Sequence, residues 1–222
     1  MIYFCPFYGE WFEGLNDSNN GICSPIHTLR TIEEDQTIID KWNTISAPPA
    51  PELRSITVNP KNTALLILDM ENSICNTSHC IATIPNIYNL LTKARQYGML
   101  VVYSLIPTAN PSDIAKELTP LSSDPIVKSS VDKFYNTNLE DILNNNGVKT
   151  VIVTGYAANG AVLHTATSAA FRGYNIILPI DCMSADNPYA EQYTAWHMIN
   201  SPGTRNKAVL TKINLISFQT PK

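Results

Sequence analysis

The sequence predicts an α/β protein: a three-layer α/β/α sandwich on a doubly wound parallel sheet, with an N-terminal arm ahead of it. Three observations predict this. After residue 63, short apolar runs recur, and most end at a glycine or an acid. Such runs, without polar alternation, mark strands buried on both faces. Stretches with helical apolar spacing separate them. Each strand–helix–strand connection is long enough to return the chain to a parallel neighbour with the usual right hand.

The arm covers residues 1–60, and the α/β domain residues 61–222. Within the arm, "GLNDSNNG" and "SAPPAPE" carry turn and linker chemistry. "TIEEDQTIIDKW" between them reads as a short helix. The arm is expected to pack on the domain or on a neighbouring subunit. "TALLILD" (63–69) is the first buried strand. "PNIYNLLTKARQYG" is an amphipathic helix through Ile87, Leu90, Leu91 and Ala94, stopped at Gly98. "MLVVYSL" is a second strand, "NLEDILNNNG" a short helix, and "KTVIVTG" a third strand. "GAVLHTATSAAFRG" is a helix, "YNIILPID" a fourth strand, and "PYAEQYTAWHMIN" a helix. "AVLTKINLI" holds a last, shorter strand. The result is a Rossmann-like arrangement, in which ligands bind beyond the carboxyl ends of the strands.

Composition narrows the partners. The 222 residues are 44% hydrophobic, with a net charge of −4 and no long charge runs. That argues against nucleic acid and anionic membranes, which need clustered Lys and Arg. No apolar stretch approaches the roughly 18 residues that cross a bilayer. The opening "MIYFCPFYGEWFEG" is apolar but lacks a basic leading segment, so it reads as part of the mature chain. Five cysteines without framework spacing favour a reduced, cytoplasmic protein. "CNTSHC" (Cys75, His79, Cys80) imitates a metal site, but no distant pair completes a tetrahedral set, so it reads as a plain loop with two thiols or a local disulfide.

The strand ends select the residues with chemistry. Asp69 closes an apolar strand, where a partly desolvated carboxylate has a raised pKa suited to acid–base work. After Gly155 the small residues of "GYAANGAVL" let a backbone approach a ligand, and the helix starting near Asn159 or Gly160 turns free N–H groups toward the same cleft. Lys128 and Lys133 precede a helix and are placed to partner a carboxylate. Tyr156, Tyr189, Trp196 and His197 either receive an aromatic substrate or, the favoured reading, form a subunit interface. His164 reads as a packed or hydrogen-bonded side chain.

Taken together, "ALLILDM", "KSSVDKFYNTNL" and "VIVTGYAANGAVLHTATSAAFRGY" resemble the isochorismatase-like hydrolases of the cysteine hydrolase superfamily, over roughly residues 62–200. The resemblance implies a triad of Asp, Lys and Cys. Asp69 matches the aspartate. Counting six residues back from Phe134 ranks Lys128 first, with Lys133 as the alternative. The cysteine position holds Ala161. The resemblance further implies a cis peptide at Tyr156–Ala157 and an oxyanion hole of the Ala157 and Ala161 N–H groups, with Tyr156 and Asn159 beside the substrate. No Asp-x-His-x-His element is present, so neither a catalytic metal nor another cofactor is expected.

Alanine cannot attack a carbonyl. Three readings follow. The protein is a cysteine-independent hydrolase, in which Asp69 protonates a small, cyclic or aromatic substrate and water completes the reaction. It is an engineered Cys-to-Ala form of a cysteine amidohydrolase. Or it is an inactive small-molecule-binding or regulatory homologue. Cys75 and Cys182 are minor candidates for a displaced nucleophile. A small-molecule ligand and a homo-oligomer are expected in each case.

Overall fold

The computed structural model describes the backbone of residues 2–5 and 10–13, and residues 37–220 in full. The chain forms two compact units, Met1–Pro48 and Pro49–Lys222. In the first, β1 (Ile2–Cys5) pairs antiparallel with β2 (Glu10–Glu13). Within the stretch expected to be the arm helix, the described residues form α1 (Ile38–Lys41) and a 3-10 turn over Trp42–Thr44. Thr37 starts it: its N–H and hydroxyl both donate to Asp40 at 2.8 Å, meeting donors that a helix start leaves open. Residues 31–36, the "GLNDSNNG" turn and Cys23 lie outside the described residues.

The second unit carries the expected alternation of strands and helices. Its elements are β3 (Ile56–Val58), β4 (Thr63–Leu68), α2 (Ser78–Ile81), α3 (Ile84–Gln96), β5 (Leu100–Leu105), β6 (Ile126–Lys128), α4 (Leu139–Asn145) and β7 (Thr150–Tyr156). There follow α5 (Leu163–Phe171), β8 (Asn175–Pro179), β9 (Met183–Ser184), α6 (Pro188–Asn200), β10 (Ala208–Thr211) and β11 (Ile216–Phe218). The main sheet runs β10-β8-β7-β4-β5-β6, with β9 also beside β7, and its pairings are parallel.

The central strand explains its own sequence. All six residues of β4 are buried. Ala64, Leu66 and Leu68 face one core, with Val153, Val162 and Ala166. Leu65 and Ile67 face the other, with Ile87, Leu90, Leu91 and Val101. A strand covered on both sides has no polar face, hence no alternation. At about 25 cal/mol per Å² of apolar surface, burial on this scale is the main term favouring the fold.

Four short strands of this unit escape the sequence pattern. β3, β6 and β11 have three residues each and β9 two, too few for a period to show. The single last strand expected from "AVLTKINLI" divides in two. β10 joins the main sheet beside β8, while β11 pairs with β3 in a separate two-stranded sheet. Residues 49–60 belong with this unit: Arg54 N–H donates to Leu210 O at 3.0 Å, and Thr211 Oγ1 to Arg54 O at 2.8 Å.

The connectivity positions the site. From β4 the chain moves outward through β5 and β6, then jumps back to β7 on β4's other side. The strand order therefore reverses between β4 and β7, the switch point where such sheets leave a crevice. Gly155 makes the close approach possible. Its φ is +117°, and a β-carbon there would lie 2.0 Å from Leu68 O. Gly155→Ala is expected to cost at least about 3 kcal/mol through overlap and backbone strain. A thermal melt checks this, with a fall of roughly 6–12 °C expected for a chain of this size.

Candidate active site

β4 ends in an acid that must turn. Asp69 has φ +49°, a left-handed conformation that Asp tolerates better than most side chains. The turn directs its buried carboxylate into a set of donors. Ser104 Oγ, at the end of β5, donates to Oδ1 at 2.6 Å. Lys133 Nζ meets Oδ2 at 2.7 Å.

Lys133 is 0% exposed. An ammonium group has three protons, and all three are used. One goes to Asp69, and the others to Ser129 O at 2.9 Å and Ser130 O at 3.0 Å. The Lys133 backbone N–H donates to Thr165 Oγ1 on α5 at 3.1 Å. Ser168, further along α5, donates its hydroxyl to Asp132. Helix α5 thus holds the turn that carries the lysine. Burial pushes the Asp69 carboxyl above its ordinary value, and the Lys133 charge opposes that rise.

The turn after β7 completes the rim. The Tyr156–Ala157 peptide is cis, as the motif implies. Ala158–Val162 form a turn kinked at Gly160 that leads into α5. Ala157 O accepts from the Gly160 and Val162 N–H groups at 2.9 and 3.2 Å. Ala161 is buried in this turn, one helical turn before the Thr165 that holds Lys133. Asn159 is exposed. Tyr156 is half-buried and donates to Asp186 Oδ1 at 2.6 Å. Burial and that carboxylate push the Tyr156 hydroxyl up to about 12, so it stays a donor.

The family model for the isochorismatase domain matches residues 63–212 of the 222. The chain belongs to the isochorismatase family. The "Secreted isochorismatase effector Isc1" of Verticillium dahliae is 30% identical over 142 residues, covering 57% of this chain and 75% of that protein. An N-carbamoylsarcosine amidase from an Arthrobacter species is 26% identical over 174 residues, covering 63% of this chain and 66% of that protein. The solved N-carbamoylsarcosine amidase of Thermoplasma acidophilum is similar in fold, with a TM-score of 0.60 and 25% identity. It covers 69% of this chain, which covers 97% of that one.

Within this isochorismatase domain the two lysines stand in different places: Lys133, the alternative, meets Asp69, and Lys128, ranked first, bonds to Ala109 instead. Lys128 is exposed on edge strand β6, and its Nζ donates to Ala109 O at 2.6 Å. It lines a surface cleft of about 410 Å³ with Asn136, Thr137, Asn138 and Asp141. Counting from Phe134 finds the right turn but not the residue whose stem points inward. The displaced-nucleophile candidates also fall. Cys75 is joined to Cys80 in a disulfide, which uses both sulfurs of "CNTSHC" and leaves no thiol or soft ligand there. His79 instead pairs with Glu191 at 3.0 Å. Cys182 is buried, and burial raises its thiol far above the ordinary value. His164 is exposed and donates from Nδ1 to Gly160 O at 2.8 Å, as a hydrogen-bonded histidine.

Ser104, Thr165 and Glu71 were not foreseen. Glu71, two positions after Asp69, is completely buried. The signal was an acid in "DMENS", read as loop because the strand had already ended.

Lys133→Met removes the ammonium but keeps the stem. It leaves Asp69 charged and unpaired, or forces it to protonate, and is expected to cost about 3–5 kcal/mol at neutral pH. Removing the lysine also removes what holds the Asp69 pKa down, so the folded-state value rises further above the unfolded one. Such a carboxyl favours the fold below its unfolded pKa and loses that advantage as pH rises through the folded value. The stability gap between wild type and Lys133→Met should therefore widen from pH 5 to pH 8 in urea titrations. Lys128→Met should change stability by about 0.5 kcal/mol or less at either pH, as exposed substitutions do.

Proposed function

We propose that this chain is a cysteine-independent hydrolase of a small substrate, with Asp69 as acid–base group and Lys133 as its charge partner. The single observation carrying this is the buried Asp69–Lys133 pair at the strand-order reversal, beside the turn that holds Ala161. An alanine methyl cannot form an acyl-enzyme, so water must be the nucleophile. Asp69, raised by burial, is poised to deliver a proton to the leaving oxygen or carbon of a vinyl ether, or to activate water toward an amide. The N–H groups of Ala157 and Ala161 belong to the backbone and are therefore present without a thiol. At the first turn of a helix such groups lack partners within the helix and can stabilise an oxyanion. Tyr156 and Asn159 border the substrate in this reading. The relatives named as amidases favour hydrolysis as the reaction class.

A second reading is a binding or regulatory homologue, favoured by the methyl group where the family's thiol is expected. An engineered Cys-to-Ala amidase is a third. They separate on three measurements. Asp69→Asn should lower turnover of a vinyl-ether or amide substrate by roughly 10²–10⁴-fold, the scale of a lost acid–base group. Ala161→Cys should leave turnover by a cysteine-independent enzyme largely intact, whereas it would create amidase activity in an engineered form. Wild type that binds but hydrolyses neither substrate class sinks the enzyme reading.

The expected homo-oligomer belongs here too. Tyr189, Tyr193 and Trp196 are exposed along α6 at helical spacing, which fits a covered face. The cytoplasmic location expected from the cysteine count is also a proposal, and the Cys75–Cys80 pairing is the observation that favours an oxidising compartment instead. No helix among the described residues is long and apolar enough to cross a membrane.

A further inference from the structure

Glu71 is fixed at every point but one. Its backbone forms a bridge with Ile114, and its carbonyl accepts from the Ile74 and Cys75 N–H groups at 3.1 and 2.8 Å. Oε1 accepts from the Ile106 N–H at 2.8 Å. Oε2 is buried and has no hydrogen-bond partner among the described residues. Nearby, the charges are already matched. Lys133 spends its three protons on Asp69, Ser129 and Ser130, and Asp69 takes its own donors from Lys133 and Ser104. Lys133 has no proton left for a second carboxylate. An ionised Glu71 would be a buried negative charge with a bare oxygen, repelled by Asp69, and burial without a partner is what a carboxylate tolerates least.

We propose that Glu71 is held as an uncharged carboxylic acid at neutral pH, so that Asp69, Glu71 and Lys133 form a cluster carrying one proton on its two carboxyl groups. The groups acting on Glu71 agree. Burial pushes its carboxyl up, the Ile106 N–H pulls it back, the Asp69 charge pushes it up again, and the Lys133 charge opposes this weakly. In the resting protein Lys133 favours the ionised form of Asp69, and Glu71 keeps the proton. When Asp69 takes up that proton, Glu71 becomes the ionised member and the cluster's charge is unchanged. The two titrate as a pair. Glu71 is thus a positioning residue: it sets how readily Asp69 is protonated.

This consequence for turnover rests on the hydrolase reading, and there the protons balance. Asp69 gives its proton to the substrate, and water adds to the carbon left electron-poor. The proton which that water releases restores the cluster.

Infrared spectroscopy tests the protonation state without any turnover. Wild type at about pH 7 should show the carbonyl stretch of a protonated carboxylic acid, and Glu71→Gln should lose it. The deciding comparison is wild type against Glu71→Gln. A wild-type spectrum without the band, or a band unchanged in Glu71→Gln, overturns the proposal. If Glu71→Gln does not fold, Glu71→Met takes its place in the same comparison. In protein that turns over, wild type should lose rate as pH rises and Glu71 ionises, whereas Glu71→Gln, which can neither ionise nor supply that proton, should turn over more slowly and lose that limb of the profile. Coincident pH profiles contradict the positioning role. A band present in protein that hydrolyses nothing leaves this proposal standing and removes the hydrolase reading; the reverse result does the opposite.

Discussion

Asp69 and Lys133 bring opposite charges into a region that water does not reach, and the local architecture is arranged around that pairing. Neither group could stay ionised there alone. The lysine is tolerated because a carboxylate and two backbone carbonyls take its three protons. The aspartate is tolerated because a lysine and a serine donate to it. These partners come from separate places in the sequence: the end of β4, the end of β5, the turn before α4, and, through Thr165, helix α5. The pair therefore depends on long-range packing. A buried pair of this kind is weak evidence for stability by itself, because desolvation offsets much of the attraction. Its place at a strand-order reversal is what the proposed function uses.

The same enclosure gives the neighbouring groups their character. Asp69 and Lys133 pair directly, while Glu71, two residues on, is buried with one carboxyl oxygen unpartnered among the described residues. A methyl group stands at Ala161. In the proposed function the chemistry runs on acid–base capacity and main-chain donors in a low-dielectric setting, where both act strongly, with water as the nucleophile. Gly155 lets β7 approach Leu68, and the turn that follows places Ala161 beside the Lys133 support.

Much of this was legible because it is local. A strand buried on both faces must be written in apolar residues, so "TALLIL" and "VIVTG" revealed the sheet and its rim. Asp69 stood out as a charge at the end of such a run. The choice between Lys128 and Lys133 was not legible. They lie five residues apart around one turn, and only the direction of each stem separates an exposed edge-strand lysine from a buried one. Glu71 was missed for a related reason. Its burial depends on Ile106 and Ile114, which lie far along the chain. The Cys75–Cys80 pairing was one of two local alternatives, and spacing alone does not decide between thiols and a disulfide. The strands of two or three residues were lost because so short a segment has no period.

The central claim is that Asp69 and Lys133 act as one unit, and a double-mutant cycle in stability measures that most directly. Wild type, Asp69→Asn, Lys133→Met and the double variant would be unfolded in urea at neutral pH. The expected result is a coupling of about 2 kcal/mol, within the range found for residues in contact, with the double variant more stable than additivity allows. Additive losses, with the double variant falling by the sum of the two single changes, would contradict the account.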